Sequence, residues 1–140
     1  MYKLITNSDS VIRIADGALI PADEGNKDFA AYQTWVSNGG KPEPADEPST
    51  EEIIAQYTAG VQKHLDDFAK TRNYDGILSA STYATSVVPK FKAEGQYAVE
   101  ARDATWAKCY EILAAVEGGT RPMPTMEELI AELPVLTWPN

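Results

Sequence analysis

One histidine, one cysteine and a few hydroxyls are the side chains of this 140-residue sequence that could carry covalent chemistry. His64 lies between Lys63 and Leu65 and is followed by Asp66-Asp67. A catalytic histidine needs a carboxylate to orient it, and helical neighbours one or two residues apart do not face each other. The spacing favours a surface or seam histidine. Cys109 falls on the inner stripe of a long helical pattern, where a free thiol acts as a small apolar residue. A nucleophile would need exposure and a nearby base. Ser79, Ser81 and Thr82 sit in no Gly-x-Ser-x-Gly elbow, so backbone bonding in a turn or short helix is their expected work. The adjacent acids Glu51-Glu52 and Asp66-Asp67 diverge around a helix. They make neither a general acid/base pair nor a calcium loop, and are expected on solvated faces. A single histidine leaves no cluster for zinc or iron. The expectation is a non-enzymatic protein with no catalytic residues, no metal and no cofactor.

The bulk numbers narrow the classes further. Net charge is −9, from 21 acidic and 12 basic residues. Phosphate backbones repel such a chain, which argues against nucleic-acid binding. No apolar run nears the ~20 residues that a membrane-spanning helix needs. The N-terminal apolar stretch is too short for a signal peptide. The expected partner is thus neither nucleic acid nor membrane, and the expected compartment is a cytosol. One cysteine permits no internal disulfide.

The elements that must position these side chains read as follows. From Lys90 to Glu117 good helix formers dominate. Ala98, Ala101, Thr105, Cys109, Ile112 and Val116 recur at spacings of three and four, one face of a helix. Val99, Trp106, Tyr110 and Leu113 form a second stripe, so a wide apolar arc is expected to be buried. The helix would reach roughly 40 Å at about 1.5 Å per residue. A second amphipathic helix spans about Thr50 to Thr71, with a capping box at Ser49 and Glu52. Its stripe is Ile54, Tyr57, Val61, Leu65 and Phe68, and Gly60 weakens its middle. Between these helices, residues 77–85 suit a short helix capped by Asp75. After Gly118-Gly119, a further capping box at Thr125 and Glu128 opens a last short helix. Trp138 lies in an apolar tail expected to fold back.

The N-terminal part reads differently. Tyr2, Leu4 and Thr6 suit one strand face, Asn7 to Ser10 a turn, and Val11-Ile12-Arg13-Ile14 a second strand. Asp16-Gly17 then marks a hairpin before Ala18-Leu19-Ile20. Asn26 is a credible cap for a short helix carrying Phe29, Tyr32, Trp35 and Val36, stopped by Asn38-Gly39-Gly40. Pro42, Pro44 and Pro48 favour an extended connector. The expected fold is mainly α with a small N-terminal β element, a helical hairpin or bundle around the long C-terminal helix. The expected organisation is a 1–40 hairpin-plus-helix module, a 41–49 Pro-rich linker and a 50–140 helical domain. Trp35, Trp106 and Trp138, with Tyr57, Tyr97 and Tyr110, supply either core packing or anchors for a protein interface.

Two stretches carry a resemblance. Gly17 to Pro21, Gly25 to Phe29, Tyr32, Trp35-Val36 and Lys41 to Asp46 resemble the N-terminal module of small bacteriophage tail proteins. Asn73 to Ser79, Glu94-Gly95-Gln96, Trp106 and Gly119 to Thr125 are similar to the helical domain joined to it. Together they cover most of the chain. Proteins of this kind are described as tail fibre assembly proteins or fibre-tip chaperones, and they offer no catalytic residues to carry over. The resemblance implies a chaperone that holds the distal part of a phage tail fibre or receptor-binding protein while it trimerises. It would act in the host cytoplasm during assembly, or remain in the virion tail. A permanent structural subunit of the tail tip is one alternative, and a small glycan-acting enzyme a remote one. Val11, Ile12, Leu19, Ile20, Phe29 and Trp35 are the expected partner-facing or docking set. Homo-oligomerisation stays open.

Overall fold

Two residues in the left-handed region shape the N-terminal sheet. Asn7, at φ 57°, turns β1 (Tyr2–Ile5) into β2 (Ser8–Arg13). Gly17, at φ 69°, turns β2 into β3 (Ala18–Ile20), and Asp16 Oδ1 accepts the Ala18 N–H at 3.2 Å. Asparagine and glycine tolerate this conformation where other residues resist it. The sheet is antiparallel in the order β1-β2-β3, with Val11 opposite both Leu4 and Ile20. Its first turn is tighter than the sequence suggests, because Ser8 to Ser10 already belong to β2. A computed structural model describes residues 1–140, which divide into two units, Met1–Ile53 and Ile54–Asn140.

In the first unit one sheet face carries Tyr2, Val11 and Ile20, all buried. Helix α1 (Lys27–Ser37) lays Phe29, Tyr32 and Trp35 over it. The Tyr2 ring meets Tyr32 edge-on at 5.1 Å and Trp35 at 5.2 Å. Asn26 caps α1 as expected, its side chain accepting the N–H groups of Asp28 and Phe29. Burying each of Val11 and Ile20 contributes about 1.5–3 kcal/mol, which gives this small unit a core of its own.

The Pro-rich stretch does more than connect. Glu43 pairs with the free edge of β1: Leu4 N–H donates to Glu43 O at 2.9 Å, and Glu43 N–H donates to Tyr2 O at 2.8 Å. Pro42 and Pro44 lack N–H groups, so Glu43 is the residue between them that can donate. Lys3 Nζ reaches Asp46 at 2.6 Å, and the Thr6 hydroxyl donates to Asp46 O at 3.0 Å. The expected 41–49 linker is therefore part of the N-terminal unit, which runs to Ile53.

The second unit is helical. Helix α2 (Thr50–Lys70) begins at the expected capping box, with Ser49 N–H donating to Glu52 Oε2 at 2.7 Å and Glu52 N–H to Ser49 Oγ at 3.2 Å. Helix α3 (Ile77–Ser81) leads through a 3₁₀ turn (Thr82–Thr85) to the 29-residue α4 (Pro89–Glu117). Helix α5 (Met126–Glu132) opens with the Thr125/Glu128 capping box. The chain is thus mainly α with a small N-terminal β element. Leu65 and Ala69 of α2 share a core cluster with Ala98 of α4, whereas Val61 shares one with Ile112. Positions rising along α2 meet positions falling along α4, so the two helices run antiparallel.

Two close approaches hold α4 in place. A Cβ on Gly95 would stand 2.3 Å from Ala84 N and 2.4 Å from the Tyr83 carbonyl carbon, so only glycine admits the 3₁₀ turn there. Beside it Glu94 is buried, with Arg72 Nη1 at 3.4 Å and Lys90 Nζ at 4.0 Å. Burial, then the Glu94 charge, pushes the Tyr74 phenol above its ordinary range. The tail folds back as expected: Trp138 stacks on Phe68 at 4.4 Å and donates from Nε1 to Thr71 Oγ1 at 2.8 Å.

Candidate functional site

Tyr57 and Met123 show how the helical unit leaves an opening. The Tyr57 hydroxyl donates to Pro124 O, tying α2 to the loop that follows α4. A groove of about 340 Å³ lies beside this contact, between α2, α4 and α5. Ile54, Tyr57 and Val61 line it from α2, and Trp106, Tyr110 and Leu113 from α4. Met123, Pro124 and Leu129 close the far side. Its exposed members are large: Ile54 is 41% exposed, Met123 43% and Tyr110 69%.

This result revises the expected wide buried arc on α4. The inner stripe is largely buried at Ala98, Ala101, Thr105 and Ile112. In the second stripe, Tyr110 and Val99 are exposed and Trp106 and Leu113 half-buried. Cys109 is half-buried in the groove wall, and burial pushes its thiol above the ordinary range. A thiol held protonated is a poor nucleophile.

The groove lining is uncharged throughout. Lys108 is taken by Glu111 at 2.9 Å, and Arg121 by Glu132 at 2.6 Å. Glu117 follows Tyr110 and Leu113 at helical spacing and forms no ion pair, and neither does Glu127 in the first turn of α5. No charged side chain of either sign, basic or acidic, is among the residues that line the groove.

The other side chains weighed for chemistry are occupied or apart. His64 lines a second, shallow cleft with Asp67, Phe68, Thr71 and the 133–136 segment of the tail. Asp67 stands three residues on and does share its side of α2, but Lys63 already binds it and holds its carboxyl below the usual range. No three His, Cys, Asp or Glu side chains gather closely enough to hold a metal ion. Ser81 Oγ donates to Ile77 O at 2.8 Å and Thr82 Oγ1 to Ser79 O at 2.7 Å. Asp66, expected on a solvated face, instead accepts the Ile77 N–H and the Gln62 side-chain amide. Asp75, expected to cap that short helix, does not: Gly76 occupies the cap position.

The six residues expected to face a partner divide. Val11, Ile20, Phe29 and Trp35 bury one another inside the N-terminal unit. Ile12 and Leu19 lie on the opposite sheet face in line with Lys3, where Leu19 is 64% exposed. The groove residues were missed as a set, although the second stripe of α4 already contained Trp106, Tyr110 and Leu113. No helix is long and apolar enough to cross a membrane. No family model, curated protein or solved structure matches the chain.

Proposed function

We propose that this chain is a non-enzymatic polypeptide-binding protein, and that its client is the distal part of a bacteriophage tail fibre during assembly. The observation that carries the binding role is the open apolar groove on the helical unit. Soluble proteins rarely leave aromatic and aliphatic side chains gathered around a concave surface unless something binds there. Tyr110, Trp106 and Met123 are residue types that dominate the energetics of protein interfaces. An apolar groove is the kind of surface that receives the apolar side chains of a partner helix. The choice of client follows from the resemblance of residues 17–46 and 73–125 to phage tail fibre assembly proteins.

The chemistry around the groove fits holding rather than turnover. Its one thiol is biased toward the protonated form and its one phenol on α2 is spent on Pro124. A net charge of −9 keeps a protein with this much open apolar surface soluble. The test is co-expression with a fibre protein from the same genome. Soluble trimeric fibre should increase when the chain is present. Fibre that folds, trimerises and stays soluble equally well without it would rule out the assembly role.

A further inference from the structure

The half-buried ring of Trp138 is met on α2, on α4 and on the turn after α2 by groups that suit tryptophan. Phe68 stacks on it with centroids 4.4 Å apart and planes 13° from parallel. Tyr74 and Tyr97 flank it at 5.9 and 6.0 Å. The Arg72 guanidinium lies over the ring, 5.8 Å from its centroid, where the negative face of the ring attracts a cation. The indole N–H donates to Thr71 Oγ1 at 2.8 Å. That hydroxyl donates its own proton to Phe68 O at 2.6 Å, so its lone pairs are left to accept. One residue earlier, the Thr137 N–H donates to the Tyr97 hydroxyl oxygen at 2.7 Å. Together these groups read an indole and the backbone amide that precedes it. A phenylalanine ring would leave Thr71 Oγ1 without its donor.

Little else holds the segment that carries this tryptophan. Residues 134–140 make no backbone-to-backbone hydrogen bond and carry no charged side chain. Helix α5 stops before Pro134, and no helix or strand follows it. Val135 is 89% exposed. Besides Trp138, only Leu136 of this segment packs against the core cluster of Leu65, Ala69 and Ala98. Segments with few buried contacts and no helix or sheet bonding open before the rest of a unit does.

We infer that Phe68, Thr71, Arg72, Tyr74 and Tyr97 form a binding socket for a tryptophan carried on a non-helical segment, and that residues 134–140 fill it as a removable plug. A partner polypeptide that presents a tryptophan with a free backbone N–H one residue before it takes the plug's place. The occupant is defined by the one already seated: the indole N–H, the preceding amide and the stacking face each have a partner in the socket. None of the five socket residues lines the groove between α2, α4 and α5, so the inference is independent of what that groove holds.

Nuclear magnetic resonance on the full chain tests it. In the wild type, the Thr137 amide should have a hydrogen-exchange protection factor at least about 100-fold below that of the Ala98 amide, because the plug opens locally. Trp138→Ala should keep the helical circular dichroism and bind a peptide of residues 134–140 saturably, with shifts at Thr71, Arg72 and Tyr97. The same peptide carrying Trp138→Phe should bind about tenfold more weakly, for want of the indole donor. The wild type should bind the unaltered peptide more weakly than Trp138→Ala does, because the resident segment competes. Protection of Thr137 equal to that of Ala98 overturns the inference, and so does a Trp138→Ala chain that unfolds, since Trp138 is then fixed core. A folded Trp138→Ala chain that ignores the peptide at millimolar concentration overturns it too. Adding Tyr110→Asp to Trp138→Ala should leave peptide binding unchanged, so failure of the groove's client role and failure of the socket are told apart.

Discussion

The carboxylate of Asp66, near the C-terminal end of α2, accepts the backbone N–H of Ile77, the first residue of α3, at 2.9 Å. A helix that has glycine at its cap position thus takes its cap from another helix. The same Oδ1 lies 2.7 Å from where a Cβ on Gly76 would stand, so the glycine makes room for the bond. Asp66→Ala should cost about 1 kcal/mol, in the usual range for losing a cap, and Asp66→Asn should recover part of it. Urea denaturation of the three proteins measures this. Equal midpoints would mean that Asp66 does not hold α3.

Two glycines in helices should respond in opposite directions. At Gly95 an added methyl meets the backbone of Tyr83 and Ala84, which cannot turn aside. Gly95→Ala should therefore cost about 1–3 kcal/mol or more. At Gly60 the methyl meets the thioether end of Met126, 2.4 Å from its Cε, and that flexible chain can swing away. Gly60→Ala should be neutral or stabilising by up to about 1 kcal/mol, from helix propensity. Thermal melts that lower both proteins equally would contradict this reading of the two sites.

Neighbouring positions on α4 should separate core from groove. Ile112 is 5% exposed, and Tyr110 is 69% exposed. Ile112→Asp removes about 1.5–3 kcal/mol of burial and adds an unpaired charge, so the product should be unfolded or aggregated. Tyr110→Asp should change stability by no more than about 0.5 kcal/mol. A soluble Ile112→Asp variant with a normal melt would place that residue outside.

The Arg121–Glu132 pair gives a pH prediction. Hydrogen bonds from Arg121 hold the Glu132 carboxyl below its ordinary range. A depressed folded value means the contribution is complete above the ordinary glutamate range. It is lost as pH falls through the lower, folded value. Both side chains are partly exposed, so the effect is small. Arg121→Gln should lower the melting temperature at neutral pH and match the wild type at strongly acid pH. A constant gap between the two across the titration would remove this pair from the stability balance.

How much of this was legible beforehand depends on whether a signal was local. The caps at Ser49, Asn26 and Thr125, the Asp16-Gly17 turn and the Gly118-Gly119 stop are short-range bonds between neighbours in sequence, and all could be read directly. The mainly helical fold with a small sheet followed from the same periodicities. The Asp66 cap and the Glu43 pairing with β1 join residues far apart, and nothing in their immediate sequence announces them. Val11, Ile20, Phe29 and Trp35 could be recognised as apolar but not as mutually buried, because that depends on α1 covering the sheet. The groove is half-visible: the second α4 stripe is apolar in the sequence, but its spacing alone does not separate buried from open positions. The groove's far wall includes Pro124, bound to Tyr57 by a contact between residues 67 positions apart.

Direct binding of a fibre's distal fragment to the isolated protein tests the central claim. Titration calorimetry should give a saturable signal with the wild type, and with Val87→Asp, at an exposed position outside the groove. The groove variants Ile54→Asp and Tyr110→Asp, folded by circular dichroism, should lose binding at least tenfold, about 1.4 kcal/mol. Binding by those groove variants as tight as the wild type's would show that the apolar groove is not where the fibre is held.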